Sequence, residues 1–318
     1  MQVRARSGAV GYAGLATCGS VWVCPCCNAK IQAVRRLEVG VAIASSAGAA
    51  FGAYTLRHRK GQDLDGLWRS LSKCWEAVTR DGSVKRIRRT MGYVGTIRAA
   101  EVTHGDHGWH PHLHPVHLFD REVSEAQVFI LHSAELRAWI AAAERLGLQA
   151  PVEDAQHLHA VTGADAAEQL GEYFTKATYS VPSESVGWEM TSTQTKSRSR
   201  GKGQTPWDIL RDVYESGDAD ALDLWHAWEK GSKSKRAITW SRGLRKLVGL
   251  DVEETDEEIA ETEVGTAADA GFVITDWRPI ARRPALGGML LGVIGGGKDW
   301  RAGRAFCDEH GIPTEDAR

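Results

Sequence analysis

A chain of 318 residues that is 42% apolar and 25% charged can bury a sizeable core, which excludes disordered, collagen-like and disulfide-miniprotein classes. The net charge of −2 conceals an asymmetry: from Lys246 onward 8 basic residues face 15 acidic ones, so the first 245 positions carry +5 and the remainder −7. A basic body with an acidic tail fits a protein that touches polyanions. No stretch approaches the roughly 18 apolar residues of a bilayer-spanning helix, and Met1-Gln2-Val3-Arg4-Ala5-Arg6 is not followed by a signal-peptide core. The expectation is a cytoplasmic protein with no membrane partner.

In chain order, residues 1–27 are rich in Gly and Cys with little periodicity, and 28–50 suit a helix. Phe51 to Arg57 reads as a strand, and Leu64 to Val78 as a helix capped by Asp63, with Leu64, Leu67, Leu71, Cys74 and Trp75 at helical spacing. Gly82 to Thr90 carries Lys85, Arg86, Arg88 and Arg89 and reads as an exposed basic loop or helix end. Gly92 to Thr103 and His110 to Phe119 are strand-like, and Gly105-Asp106-His107-Gly108 joins them as an antiparallel hairpin. Val123 to Leu146 is a helix by periodicity, Gln156 to Val161 a short strand, and Ala164 to Tyr179 another helix.

Ser192 to Gln204 holds Lys196, Arg198, Arg200 and Lys202 among Ser, Thr and Gly, the composition of a basic linker, so a boundary is drawn near residue 200. Beyond it come helices from Pro206 and over Ala219 to Lys230, the segment Trp240 to Arg245, and an acidic helix from Asp256 to Val264. The expected fold is α+β, a central antiparallel sheet with flanking helices. Its divisions are a Cys-rich segment and helix over 1–50, a catalytic domain over 51–200 and a largely helical accessory region over 201–318.

The chemistry concentrates at Trp109-His-Pro-His-Leu-His-Pro-Val-His117, where with His104 and His107 six of twelve histidines fall within fourteen residues. Alternate residues of a strand share a face, so His112 and His114 project together while Leu113 enters the opposite layer. Glu101 is the carboxylate that the paired strand supplies. Two nitrogens and one carboxylate oxygen leave positions open for water or a phosphate oxygen, as a catalytic Mn²⁺ or Mg²⁺ site requires. In Gly171-Glu-Tyr-Phe-Thr-Lys176, Tyr173 and Lys176 lie three apart on one helical face, so an ammonium sits beside a phenol and favours phenolate. In Cys18-Gly-Ser-Val-Trp-Val-Cys-Pro-Cys-Cys27, Cys24 and Cys27 have the spacing of a zinc knuckle and Cys18 supplies a third thiolate. Cys26, a histidine of the cluster or a residue ahead of Met1 is left for the fourth position.

Taken together these residues resemble the replication initiator proteins of rolling-circle plasmids, particularly actinobacterial ones, within the His-hydrophobe-His endonuclease superfamily. Gly14 to Cys27 resembles the family's Cys-rich entry segment, Tyr54-Thr-Leu-Arg-His58 its first strand, and Ala100 to Gly105 with Gly108 to His114 its metal motif. Gly171 to Lys176 resembles the tyrosine motif, and Leu224-Trp225 with Trp240 to Arg245 the later region, so the likeness runs over about residues 10 to 265.

The resemblance implies a site-specific, metal-dependent nickase acting at a double-strand origin. Tyr173 would attack the scissile phosphodiester, His112, His114 and Glu101 would hold the metal, and Lys176 would stabilise charge. Implied partners are plasmid origin DNA, a host helicase and a polymerase, the helicase because no Walker-type phosphate loop is present. Basic residues expected to contact DNA are Lys85, Arg86, Arg88, Arg89, Lys196, Arg198, Arg200, Arg242 and Arg245. Some relatives carry a glutamate four residues before the tyrosine; here that position is Gln169.

Two other classes compete. His110-x-His112-x-His114 formally matches the histidine-triad nucleotide hydrolases, though Pro111 and Pro115 occupy positions that are apolar there. A non-catalytic, zinc-dependent DNA-binding regulator would use the same basic segments, since phosphate contacts carry no reaction information.

Overall fold

The computed structural model describes residues 1–6, 9–14, 16–161, 203–250, 252–263, 267–283, 285–295 and 299–317. The chain divides into two compact units, Ser20–Thr255 and a discontinuous one made of Met1–Gly19 with Asp256–Arg318. The fold class is α+β with antiparallel sheets, as the alternation of helical and strand periodicities required.

In the discontinuous unit, β1 (Gln2–Arg6) and β2 (Ala9–Ala13) form a hairpin, and β8 (Ala270–Ile274) and β9 (Thr314–Asp316) complete a sheet of order β2-β1-β8-β9. All of its pairings are antiparallel. Val3, Phe272 and Ile274 pack on Leu290, Ile294 and Phe306 of two helices over Ala285–Ile294 and Trp300–Glu309. These strands are absent from the sequence reading, because five or fewer residues of alternation carry little signal. The region after 201 is therefore not only helical.

The larger unit is built on a five-stranded antiparallel sheet of order β6-β3-β5-β4-β7. Its strands are β3 (Gly48–Thr55), β4 (Tyr93–Gly105), β5 (Gly108–Phe119), β6 (His157–Val161) and β7 (Ile238–Trp240). β4 and β5 are thirteen and twelve residues long and join through a two-residue turn, Asp106-His107. Gly108 takes φ +88°, a left-handed conformation open to glycine at little cost, and a Cβ there would sit 3.3 Å from Lys60 Cα.

One face of the sheet is covered by α1 (Pro25–Ala44). Val39, Ala42 and Ile43 pack with Phe51, Ile97, Val116, Leu118 and Ile238, and Leu244 of the turn-like helix Leu244–Leu247 closes the cluster. The opposite face carries α2 (Leu64–Arg80), α3 (Gly82–Thr90) and α4 (Glu125–Arg145). Asp63 caps α2 as its position predicted, accepting from Gly66 N at 2.7 Å, and the buried stripe Leu64, Leu67, Leu71, Cys74, Trp75 is the one read from periodicity. Ser124 and Gln127 form a reciprocal capping box that starts α4. Two further helices, α5 (Pro206–Ser216) and α6 (Ala219–Ser232), follow, and α6 packs on α2.

This division departs from the boundaries placed at residues 50 and 200. α1 closes the core of the sheet rather than standing with the Cys segment, and β7, from beyond residue 200, is hydrogen-bonded to β4 as an edge strand.

Gly82 to Thr90 is a helix rather than a loop, and Arg88 is a correction: it points inward. Its guanidinium donates to Glu135 Oε1 at 2.7 Å (Nη2) and 3.1 Å (Nε), and both residues are buried. Glu135 also accepts from Tyr54 Oη at 2.8 Å and faces His117 Nε2 at 3.2 Å. Burial opposes ionisation of Glu135, but the charges of His117 and Arg88 and the bonds from His117 and Tyr54 outweigh it and pull its pKa from 4.5 down to about 2. A carboxylate depressed by folding contributes stability that is present above the unfolded pKa and is lost as pH falls from 4.5 towards 2.

Arg88→Ala strands a buried carboxylate and is expected to cost about 3–5 kcal/mol in chemical denaturation. Glu135→Gln is expected to flatten the acid limb of the stability profile between pH 4.5 and 2; an unchanged limb would show that the charge sits elsewhere.

Candidate metal centre

The centre sits at the end of the β4–β5 pairing away from the apolar cluster, on the face that α1 covers at the other end. Register places Glu101 directly opposite His112, and His114 opposite Ala99. The period-two geometry of β5 then directs His110, His112 and His114 to the face shared with Val116 and Leu118, while Leu113 faces Tyr54's layer as expected. Glu101 Oε2 lies 3.0 Å from His112 Nε2 and 3.1 Å from His114 Nε2. The sequence-assigned set Glu101, His112 and His114 is thus assembled from two strands into one group of donor atoms.

Burial grades across the three. The Glu101 side chain is 3% exposed, His114 7% and His112 15%, so His112 stands at the solvent rim. His114 stacks on Phe51 with ring centroids 5.6 Å apart and planes 9° from parallel, which fixes its ring. Burial opposes the charge on Glu101, yet the charges and hydrogen bonds of His112 and His114 hold its carboxyl well below the usual carboxylate range.

The donor set fits a divalent cation. His112 Nδ1 lies 3.2 Å from the carbonyl oxygen of His110, which can only accept, so Nδ1 carries a proton and Nε2 is the nitrogen available to a cation on the Glu101 side. A lone pair 3.0 Å from a carboxylate oxygen is repulsive unless a proton or a cation lies between them. Ligands at about 2.1 Å on adjacent corners of an octahedron are about 3 Å apart, which matches the observed spacings. Two nitrogens with one oxygen are compatible with a divalent cation that keeps coordination positions open.

Sequence reasoning missed the second row of this site. His110 Nδ1 is 3.2 Å from His58 Nδ1, and its Nε2 is 3.2 Å from Thr55 Oγ1. Burial, then the charges of His112 and His58, push the His110 imidazole down to about 3, so it stays neutral. The signal was available: Thr55 and His58 stand in the Tyr54 to His58 segment, but only the β3–β5 pairing shows that they reach the histidines.

The remaining assigned residues are placed as follows. Cys24 is the N-cap of α1, its Sγ accepting from Cys27 N at 3.5 Å, so the two share one helical turn; Cys27 is buried. Cys18 is exposed and belongs to the discontinuous unit. Lys85, Arg86 and Arg89 are exposed on α3, whereas Arg88 is held by Glu135. Arg242 is exposed, and Arg245 is bound to Glu38 at 2.7 Å and lies over the Trp240 ring rather than standing free for DNA. Tyr173, Lys176, Gln169, Lys196, Arg198 and Arg200 lie outside the described residues. Among the described residues no helix is long and apolar enough to cross a membrane.

Comparison with known proteins adds a relative over most of the chain. "Protein rep" of Streptomyces lividans is 27% identical over 351 residues, covering 85% of this chain and 73% of that protein. The chain is similar to that protein along most of its length. The resemblance to plasmid replication initiators read from the motifs is borne out. A "Neomycin resistance protein" of Streptomyces cyanogenus is 31% identical to this chain over 142 residues, covering 36% of the chain and 32% of that protein. No family model and no solved structure matches.

A Mn²⁺ titration followed by calorimetry is expected to show a site that Glu101→Gln and His114→Ala each weaken by roughly 10–100-fold or more. Equal affinity in wild type and both variants would remove the metal from this group.

Proposed function

We propose that the protein initiates rolling-circle plasmid replication by cutting one strand of its origin with a tyrosine nucleophile. The observation that carries this reading is the convergence of His112, His114 and Glu101 on one sheet face in a chain related to "Protein rep". Mn²⁺ or Mg²⁺ bound there would supply charge neutralisation at the scissile phosphate.

The chain's own residues do the rest. Tyr173 Oη forms a bond to phosphorus as the bond from phosphorus to the 3′ oxygen breaks. The phenolic proton leaves to solvent, and the departing oxygen takes up a proton to become the 3′ hydroxyl primer. The DNA 5′ phosphate stays on the tyrosine as an ester, so the energy of the phosphodiester is retained for resealing without a nucleotide cofactor. Lys176, three residues on in the sequence, offsets the negative charge on the phosphoryl oxygens. The support for Tyr173 and Lys176 is the Gly171 to Lys176 motif and its place after the histidine strand.

In this reading residues 51–200 carry the chemistry, and residues 201–318 serve recognition or a partner such as the host helicase or polymerase. Lys85, Arg86, Arg89 and Arg242, with Lys196, Arg198 and Arg200, contact DNA phosphate, and Cys18, Cys24 and Cys27 hold a structural Zn²⁺. The site of action is the cytoplasm.

Incubation with labelled single-stranded origin DNA and Mn²⁺ is expected to give a covalent adduct that maps to Tyr173 and disappears with EDTA. Tyr173→Phe should reduce adduct formation by at least about 1,000-fold while leaving origin binding intact. An adduct that survives Tyr173→Phe, or binding without any adduct across candidate origins, would favour a different nucleophile or a non-catalytic DNA binder.

A further inference from the structure

The loop that leaves β3 carries Arg57, Arg59 and Lys60, all exposed and none with an ion-pair partner among the described residues. Several exposed arginines of the same unit do pair with carboxylates, Arg69 with Asp65, Arg80 with Glu76 and Arg121 with Asp120, whereas Arg86, Arg89 and Arg242 resemble the loop in having no ion pair among the described residues. The acidic residues that follow the loop are occupied, Asp63 in capping α2 and Asp65 in binding Lys235 at 2.7 Å.

The loop is also held in place beside the candidate metal centre. Arg59 N donates to Gln62 Oε1 at 2.8 Å and Gln62 N to Arg59 O at 3.2 Å, closing the turn. His58 reaches His110 at 3.2 Å, and the His110 ring centroid is 5.2 Å from that of His112. On the other side the backbone at Gly108 comes so close that a Cβ would meet Lys60 Cα, and the charge of Lys60 is felt at His104. Three unpaired cations in four residues are thus fixed next to the histidine row instead of ranging over the surface. The neighbouring turn adds one carboxylate, Asp106, which leaves the rim net positive.

We propose that Arg57, Arg59 and Lys60 grip the phosphodiester backbone of single-stranded DNA next to His112, His114 and Glu101. The assignment rests on the nickase reading for the identity of the polyanion, but the grip itself requires neither metal nor cleavage. Phosphates spaced along an extended strand meet cations spaced along an ordered loop, which positions the strand without reading its bases.

The test measures binding of a fluorescent oligothymidylate to the full chain in EDTA by anisotropy, over a series of NaCl concentrations. Releasing three phosphate contacts should flatten the slope of log K against log salt by about 2, since each contact to a single strand contributes about 0.7. The expected result is that slope change in Arg57→Ala/Arg59→Ala/Lys60→Ala and its recovery in Arg57→Lys/Arg59→Lys/Lys60→Arg, with thermal melts unchanged because all three side chains are exposed. A wild-type slope in the alanine variant would overturn the grip. So would failure of the charge-preserving variant to recover it, or a wild type that does not bind the oligomer at all. Wild-type binding with an unchanged slope in the variant leaves the nickase reading intact. Loss of the Tyr173 adduct chemistry with the slope change present would sink the nickase reading alone.

Discussion

The register between β4 and β5 is the constraint on which the site depends. Glu101 meets His112 only because the two long strands pair without a slip from Thr96 and His117 to the Asp106-His107 turn. A shift of one residue would send the histidines to the opposite face and put Leu113 in their place. The same face supplies the safeguard: Ile97, Val116 and Leu118 bury under α1 at the far end, so a slip would expose a fully buried core at one end while dismantling the donor set at the other. Packing under α1 and chemistry at the turn are thereby two ends of one registration.

Histidine and glutamate meet on both faces of the sheet, with opposite consequences. Behind it, Glu135 is satisfied by a permanent cation, Arg88, together with Tyr54 and His117, and all four are buried. That cluster is closed and ties α3 and α4 to the sheet through β3 and β5. In front, Glu101 confronts two imidazole nitrogens at contact distance, and His112 opens to solvent. Similar residue types make a structural knot where a buried guanidinium completes them and a candidate metal centre where two imidazole nitrogens meet one carboxylate near the solvent rim.

Much of the larger unit was legible in the sequence. Strand-like composition around a Gly-Asp-His-Gly turn marks β4 and β5, periodicity with Asp63 marks α2, and His-x-His on a strand puts two candidate ligands on one face. Arg88 was not legible, because a run of four basic residues gives no sign that one of them turns inward to a glutamate 47 positions away. His58 and Thr55 were hidden for the same reason: their relation to His110 exists only through the pairing of β3 with β5. The short strands β1, β2, β8 and β9 escaped because five or fewer residues of alternation carry little signal. The pairing of β1 with β8 also spans most of the chain.

That last separation bears on the order in which the protein is made. Met1 N donates to Ile274 O, 273 residues away, and β1 is hydrogen-bonded to β8. At about 5–20 residues per second, β1 would wait roughly 15–55 seconds on the ribosome for that strand to be synthesised. Every residue of the Ser20–Thr255 unit is polymerised in the interval, so the sheet bearing the histidines can close while Val3, fully buried in the finished unit, still lacks Phe272 and Ile274. The nascent chain therefore passes through a stage in which its candidate chemistry is assembled and its first hairpin is without the helices that cover it.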